Sequence, residues 1–230
     1  ILRRRARTDD VVLDPFCGSG VAPLQACAEG RIGIGMDTNP IACALTVAKI
    51  IPPDLPGLHN RIDDLSNDMF FAPIEHEPPA AKMLFHPKVL SQLVFLRQSL
   101  HAESRVDAFL IGTILGILHG DQRERPGSFL SAPIPASLCD TPHRIMRYLA
   151  ESGSKAGETD VFHCLRRKIA SLLRYKFPVV EGRFWNSSIQ NQADLPDPAL
   201  RGRRVQLVIG MPPLVHNPPC DMAGWVRRWF

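Results

Sequence analysis

Closely paired cysteines are missing from this chain. Its six cysteines, at positions 17, 27, 43, 139, 164 and 220, include no Cys-x-x-Cys. Structural zinc usually takes closely spaced thiolates, so no metal is expected. His216 and Cys220 stand four apart, but Pro218 and Pro219 lie between them, so no helix aligns them. The other histidines, at 59, 76, 86, 101, 119, 143 and 163, show no ligand spacing either. The scattered thiols fit a reduced, cytoplasmic protein. No run approaches the roughly 18 apolar residues of a membrane span. The basic start Ile1-Leu2-Arg3-Arg4-Arg5 has no apolar stretch behind it, so it is not a signal peptide. Aromatic residues are only 7% of the chain, and Trp185, Trp225 and Trp229 are expected in a core rather than as stacking platforms. Internal repeats and low-complexity tracts are absent as well.

What remains is an ordinary globular composition. The 230 residues are 45% hydrophobic and 22% charged, enough for one large domain or two small ones. A net charge of +4 permits a nucleic-acid partner without demanding one. Residue 1 is not Met, and the last residues, Gly224 to Phe230, are apolar and basic without a stop signal, so a fragment cut at both ends is expected.

The first 50 residues alternate strand and helix signals. Val11-Val12-Leu13 is a short apolar run, expected as a buried strand. A tight loop, Asp14-Pro15-Phe16-Cys17-Gly18-Ser19-Gly20, follows it. Residues 21–29 fit a helix stopped by Gly30. Ile32 to Met36 form a second strand closed by Asp37. Asn39 then caps a helix with Pro40 at its first position, running to about Ile50. This alternation implies a parallel sheet with right-handed crossovers.

Residues 51–84 are rich in Pro and Asp and are expected as a connector. Helices follow: one opened by Pro87, one behind a Ser104/Asp107 capping box and stopping at Gly120, one behind Thr141-Pro142, and one over about 160–176. Residues 121–140 are expected as a loop. Strands return with Phe177 to Gly182 and Val205 to Ile209, and Gly210-Met211-Pro212-Pro213-Leu214 stands at the carboxyl end of the latter. The expected division is 1–50 for a ligand-binding half, 51–176 for connector and helical insertion, and 177–230 for the return to the sheet.

Ligands of open parallel sheets bind beyond the carboxyl ends of the strands. Asp14 ends the first expected strand. Gly18 and Gly20 remove side chains where backbone must approach a ligand. Asp37, 17 residues after Gly20, can accept both hydroxyl protons of a ribose. A dinucleotide fingerprint would need a third glycine where Pro23 stands, and a phosphate loop would need Gly-Lys-Ser/Thr, which is absent. A ligand with adenosine and no phosphate fits better.

Asp14-Pro15-Phe16-Cys17-Gly18-Ser19-Gly20 resembles motif I (D-P-F-x-G-S-G) of class I S-adenosylmethionine-dependent methyltransferases, particularly the DNA enzymes that methylate exocyclic amines. Gly35-Met36-Asp37-Thr38-Asn39-Pro40 resembles their G-I-D-x-N-P. The resemblance implies a Rossmann-like α/β parallel sheet, partial here, of strands one to four in the order 3-2-1-4, with a helical insertion between strands two and three. It implies S-adenosylmethionine as cofactor, with Asp14, Phe16, Gly18 and Gly20 around its methionine part and Asp37 on its ribose. Pro212-Pro213 after an apolar strand resembles motif IV, in which Ser, Asn or Asp precedes Pro-Pro and an aromatic residue follows. Met211, Pro212, Pro213 and Leu214 are therefore the expected catalytic stretch. The first side chain and first proline carbonyl accept from the amine, and the aromatic stacks on a base flipped out of the duplex.

Two substitutions depart from that pattern. A thioether is a weak acceptor. Leucine has no π-face, and base–aromatic stacking is worth ~1–3 kcal/mol. Weak or absent catalysis is the expectation. Such enzymes also often carry Gly-Asp-Ala at the third strand, where Glu181-Gly182-Arg183 would place a cation beside the cofactor. The resemblance extends to parts of 85–144 and to Gly224–Phe230, and it implies a prokaryotic DNA-methylating enzyme of the restriction–modification kind.

Residues 144–176 hold eight basic against three acidic side chains. Arg166 and Arg167 are expected to touch DNA phosphates, which positions a duplex without specifying sequence. An RNA guanine-N2 methyltransferase is the second reading, although its Asp-Pro-Pro-Tyr usually lies much closer to motif I than the roughly 190 residues seen here. A catalytically inactive remnant that binds cofactor or DNA is the third. Oligomeric state is left open.

Overall fold

The computed structural model describes residues 2–120, 129–135, 138, 141–174, 180–186, 200, 202–212 and 224–230, with only the backbone of Leu173, Trp185 and Asn186. It shows a four-stranded, all-parallel sheet in the order β3-β2-β1-β4, formed by β1 (Val11–Asp14), β2 (Ile32–Asp37), β3 (Arg183–Asn186) and β4 (Val205–Val208). The helices, in chain order, are α1 (Leu2–Arg5), α2 (Val21–Ala28), α3 (Pro40–Ile50), α4 (Leu55–Asn67), α5 (Pro79–Leu84), α6 (Pro87–Ser99), α7 (Arg105–Leu118), α8 (Pro142–Ser152), α9 (Val161–Leu173) and α10 (Trp225–Trp229). Helices α3 to α9 all fall between β2 and β3 in the sequence. The mixed α/β architecture and the expected strand order are consistent with a Rossmann-like methyltransferase fold.

The chain forms two compact units. The first comprises Ile1–Pro53, Ala102–Gly112 and Tyr175–Met222, and holds the sheet. The central strands β1 and β2 are buried along most of their length, as parallel strands under helices on both sides must be. Val12 packs with Leu2, Ala6 and Ala26 against Leu207 and Ile209 on one face. Val11, Leu13, Ile34 and Met36 pack with Ile32, Leu200 and Val205 on the other. The start of α7 lies close on α3, so that a methyl group added at Gly112 would meet Ala48 Cβ at 2.4 Å.

The second unit, Asp54–His101, Thr113–Arg174 and Ala223–Phe230, is helical. The Asp160 carboxylate caps α9 by accepting from His163 N at 2.8 Å, and also accepts from Gln92 of α6 at 2.9 Å. His86 caps α6 through Nδ1, which accepts from Lys88 N at 3.3 Å. Buried His119 pairs with the Ser131 hydroxyl at 2.9 Å. Trp229 stacks on Phe85 with centroids 5.6 Å apart, lies under the Arg97 guanidinium and donates to Glu77 at 2.7 Å. It is half-buried and packed within this unit.

Two expectations are corrected. The stretch 51–84 is not a bare connector, because it carries α4 and α5. The Asp54 carboxylate caps α4 by accepting from Gly57 N at 2.8 Å, and Leu58, Ile62 and Leu65 are buried along one stripe. Third-strand pairing falls at Arg183–Asn186, later than 177–182. Val180 and Gly182 donate instead to the carbonyls of Cys27 and Ile50, at the ends of α2 and α3, which leaves them outside the sheet ladder. Residues 177–179 and 121–128 lie outside the described residues.

Among the described residues no helix is long and apolar enough to cross a membrane. No cluster of three or more His, Cys, Asp or Glu among them could hold a metal ion.

Candidate functional site

The expected glycine loop and its acid meet at the carboxyl edge of the sheet. Asp14 ends β1 and is buried, and its Oδ1 accepts from Phe16 N at 3.1 Å, which turns the chain out of the strand. Cys17 N donates to Met36 O at 3.0 Å, so the loop crosses back over the end of β2. Gly18 N then donates to Asp37 Oδ2 at 3.0 Å, while Asp37 Oδ1 accepts from Asn39 N at 2.9 Å. One carboxylate thus ties the glycine loop to the start of α3. An ionised carboxylate has about four acceptor positions, so half-buried Asp37 keeps capacity for further donors.

Gly18 and Gly20 both take positive φ, +52° and +75°. At Gly20 a methyl group would also meet Thr46 Cα at 2.9 Å, so glycine is required there twice over. Beneath the loop, the buried Thr46 hydroxyl donates to the Gly18 carbonyl at 3.1 Å, and the Lys49 ammonium donates to the Ser19 carbonyl. Sequence reasoning missed both residues. The only signal was their spacing of three on α3, and their partners lie 28 and 30 residues away.

The electrostatics favour a positively charged ligand. Burial raises the Asp14 pKa; the Phe16 amide opposes this shift and the nearby Asp37 charge adds to it. Two carboxylates so placed repel an anion and are relieved by a cation. Burial pushes the Cys17 thiol to about 12 and the Cys43 thiol to about 11, so neither is a ready nucleophile. Lys49 is shifted down by burial, with Cys17 opposing the shift.

The end of β4 joins the same edge. Ile209 N donates to Leu13 O at 2.9 Å, extending the ladder past Val208. A methyl group at Gly210 would sit 3.1 Å from Pro15 Cδ and 3.4 Å from Phe16 Cδ2, so the chain leading into Met211 runs beside the loop. Met211 itself is 85% exposed, and Pro212 is exposed too. Pro213 and Leu214 lie outside the described residues.

Arg183 does not stand where the sequence placed it. It pairs with Ile34 at the start of β3, and the residue in register with Asp37 at the carboxyl end is Asn186. Arg183 thus stands at the start of β3, three residues before the strand's carboxyl end. Arg166 lies on α9, where it forms an ion pair with Asp63 at 2.7 Å, so its charge is already shared. A hollow of about 410 Å³ lined by Leu2, Arg3, Arg4, Gln25 and Glu29 sits by the far end of α2, away from these groups.

Over 66 residues, 29% of this chain, the sequence is 32% identical to the Type II methyltransferase M.MjaII of Methanocaldococcus jannaschii. The match spans 12% of that protein's length. No family model and no solved structure matches the chain. With an all-parallel α/β sheet of the expected order, the similarity points to a relationship with methyltransferases.

Proposed function

We propose that the chain binds S-adenosylmethionine at the carboxyl edge of its sheet and belongs to an enzyme that methylates an exocyclic amine of a DNA base, adenine N6 or cytosine N4. One observation carries the reading. The Asp37 carboxylate holds the Gly18 amide beside buried Asp14, in a loop with no side chain at either positive-φ position. The groups present fit the cofactor. Asp37 offers acceptors for ribose hydroxyls, Gly18 and Gly20 admit close approach, and two carboxylates complement a sulfonium. When bound, the cofactor supplies an electrophilic methyl group. The residues of the chain do the rest: Asp37 and the loop bind and orient, Asp14 balances the positive charge, Phe16 lines the methionine side, and the chain after β4 presents the amine.

That last task is where the site is weak. Met211 offers a poor acceptor at an exposed position, leaving the Pro212 carbonyl to hold the amine. Loss of one preorganised polar contact costs ~3 kcal/mol in barrier. A chain that binds cofactor while transferring methyl slowly or not at all is the second reading, and Met211 is the observation that favours it. Calorimetry with S-adenosylmethionine tests the first step, with saturable binding expected. No binding at millimolar cofactor would overturn the site. Transfer of labelled methyl to DNA tests the second, and near-normal rates would refute an impaired site.

A further inference from the structure

The Gly18–Ser19–Gly20 backbone is free to flip in a way that most loops are not, because glycine stands on both sides of Ser19 at positive φ. Its two peptide planes are nevertheless both held by hydrogen bonds. Thr46, buried in α3, donates to the Gly18 carbonyl at 3.1 Å. Lys49, one turn later on the same helix, donates to the Ser19 carbonyl. A trans peptide points its N–H opposite to its C=O. Drawing the Gly18 carbonyl toward α3 therefore turns the Ser19 N–H away from α3 and out of the loop. Among the described residues nothing accepts from that amide. The second plane is fixed from both ends, since Gly20 N donates to Cys17 O at 2.8 Å while the Ser19 carbonyl meets Lys49.

We infer that Thr46 and Lys49 are a positioning pair, which holds the glycine loop with the Ser19 amide presented as a donor to the cofactor. This rests on the proposed reading of the site as one for S-adenosylmethionine. Neither side chain touches the cofactor in this arrangement; both act through the loop carbonyls behind it. The lysine also explains its own placement. It is half-buried, its charge is costly there, and a carbonyl alone is a thin return unless the loop conformation depends on it.

The test is calorimetric titration of S-adenosylmethionine into the native chain and into Thr46→Val, Thr46→Ser, Lys49→Met and Lys49→Arg, with thermal midpoints measured alongside. Thr46→Val and Lys49→Met should each raise the Kd about tenfold, the cost of losing one orienting hydrogen bond. Thr46→Ser should restore affinity to within about threefold, since it keeps the hydroxyl. A pH series supplies a readout that general destabilisation does not move. The native chain should lose affinity as pH rises through the lowered Lys49 pKa, whereas Lys49→Arg should bind well without that loss. Equal Kd values in native, Thr46→Val and Lys49→Met chains would overturn the pair while leaving the site intact. No binding by the native chain would instead overturn the site reading, and the pair with it. If Thr46→Val fails to fold, the pH comparison of native chain with Lys49→Arg decides, and identical profiles refute the inference.

Discussion

The ends of β2 and β4 meet the same edge of the sheet and are built in opposite ways. After β2, Asp37 bonds two backbone amides, Asn39 caps the next helix through Ile41 N at 3.0 Å, and the glycine loop is closed from above and below. After β4, the chain leaves the ladder at Ile209, passes Gly210 and exposes Met211 at 85%. One end is a finished set of donors and acceptors. The other presents a flexible thioether to solvent. A site that binds by the first and reacts by the second would lose chemistry before it lost affinity. Substitutions at the two ends should therefore separate Kd from rate.

The largest effect is expected at Asp37. Asp37→Ala removes a charged acceptor from both Gly18 and Asn39, along with the proposed ribose partner. Hydrogen bonds to charged groups are worth ~1.5–3 kcal/mol each. Cofactor Kd should rise by roughly 100-fold or more, and the thermal midpoint should fall. An affinity within threefold of native would remove Asp37 from the site.

Asp37 and its loop were legible in the sequence because their signals are local. A strand, two glycines, an acid, and Asn39-Pro40 as a helix start each declare themselves within a few residues. The alternation of strand and helix pointed to a parallel sheet, while the strand order came from the motif resemblance. What was not legible depends on distant partners. Thr46 and Lys49 look like an ordinary polar residue and a solvated lysine until α3 is laid under the loop. The offset of β3 was hidden because Val179-Val180 looks more strand-like than Arg183, while the pairing is decided by which amides reach β2 and which reach the ends of α2 and α3. Helix α4 was masked by Pro56 and Gly57, which suggest a loop but sit within its first turn, where neither breaks a helix. At Met211 the sequence stated the residue plainly, and the structure added its exposure.

Repair of the weak end is the next largest effect. Met211→Ser with Leu214→Tyr restores an acceptor and a stacking ring. In labelled-methyl transfer to DNA the rate should rise about 100-fold, with cofactor Kd within about twofold of native because neither residue belongs to the loop. A changed Kd with an unchanged rate would reverse the division of labour between the two strand ends.

Asp14 sharpens the comparison through pH. Its folded pKa is raised, mainly by burial, above the ordinary 3.8. The fold therefore binds that proton more tightly than the unfolded chain does. This favours folding when Asp14 is protonated and is lost as pH rises through the folded value. At neutral pH the ionised group is a net cost. Asp14→Asn keeps an oxygen for Phe16 N and removes the charge, so the thermal midpoint at pH 7 should rise. Cofactor Kd should worsen about tenfold, a loss of ~1.4 kcal/mol of attraction to the sulfonium. The native chain should likewise bind more weakly as pH falls through the raised pKa, and Asp14→Asn should not. A midpoint that falls at pH 7 would show that the carboxylate is structurally required.

The smallest effect concerns the helical unit, and it tests whether the chain meets DNA through α9 at all. Arg166 is shared with Asp63, in a pair whose side chains are 44% and 63% exposed. Exposed pairs contribute ~0–1 kcal/mol, so a phosphate could displace the carboxylate at little cost. Each phosphate contact adds ~0.9 to the slope of log affinity against log salt. Anisotropy of labelled duplexes should then show Arg166→Ala with Arg167→Ala flattening that slope by about two, evenly across sequences. Asp63→Ala should act the other way, strengthening binding up to about fivefold by freeing Arg166. The opposite signs are the point of the pair of measurements. A basic face that merely solvates the helix would leave the slope unchanged in both variants, and DNA contact would have to be sought elsewhere on the chain.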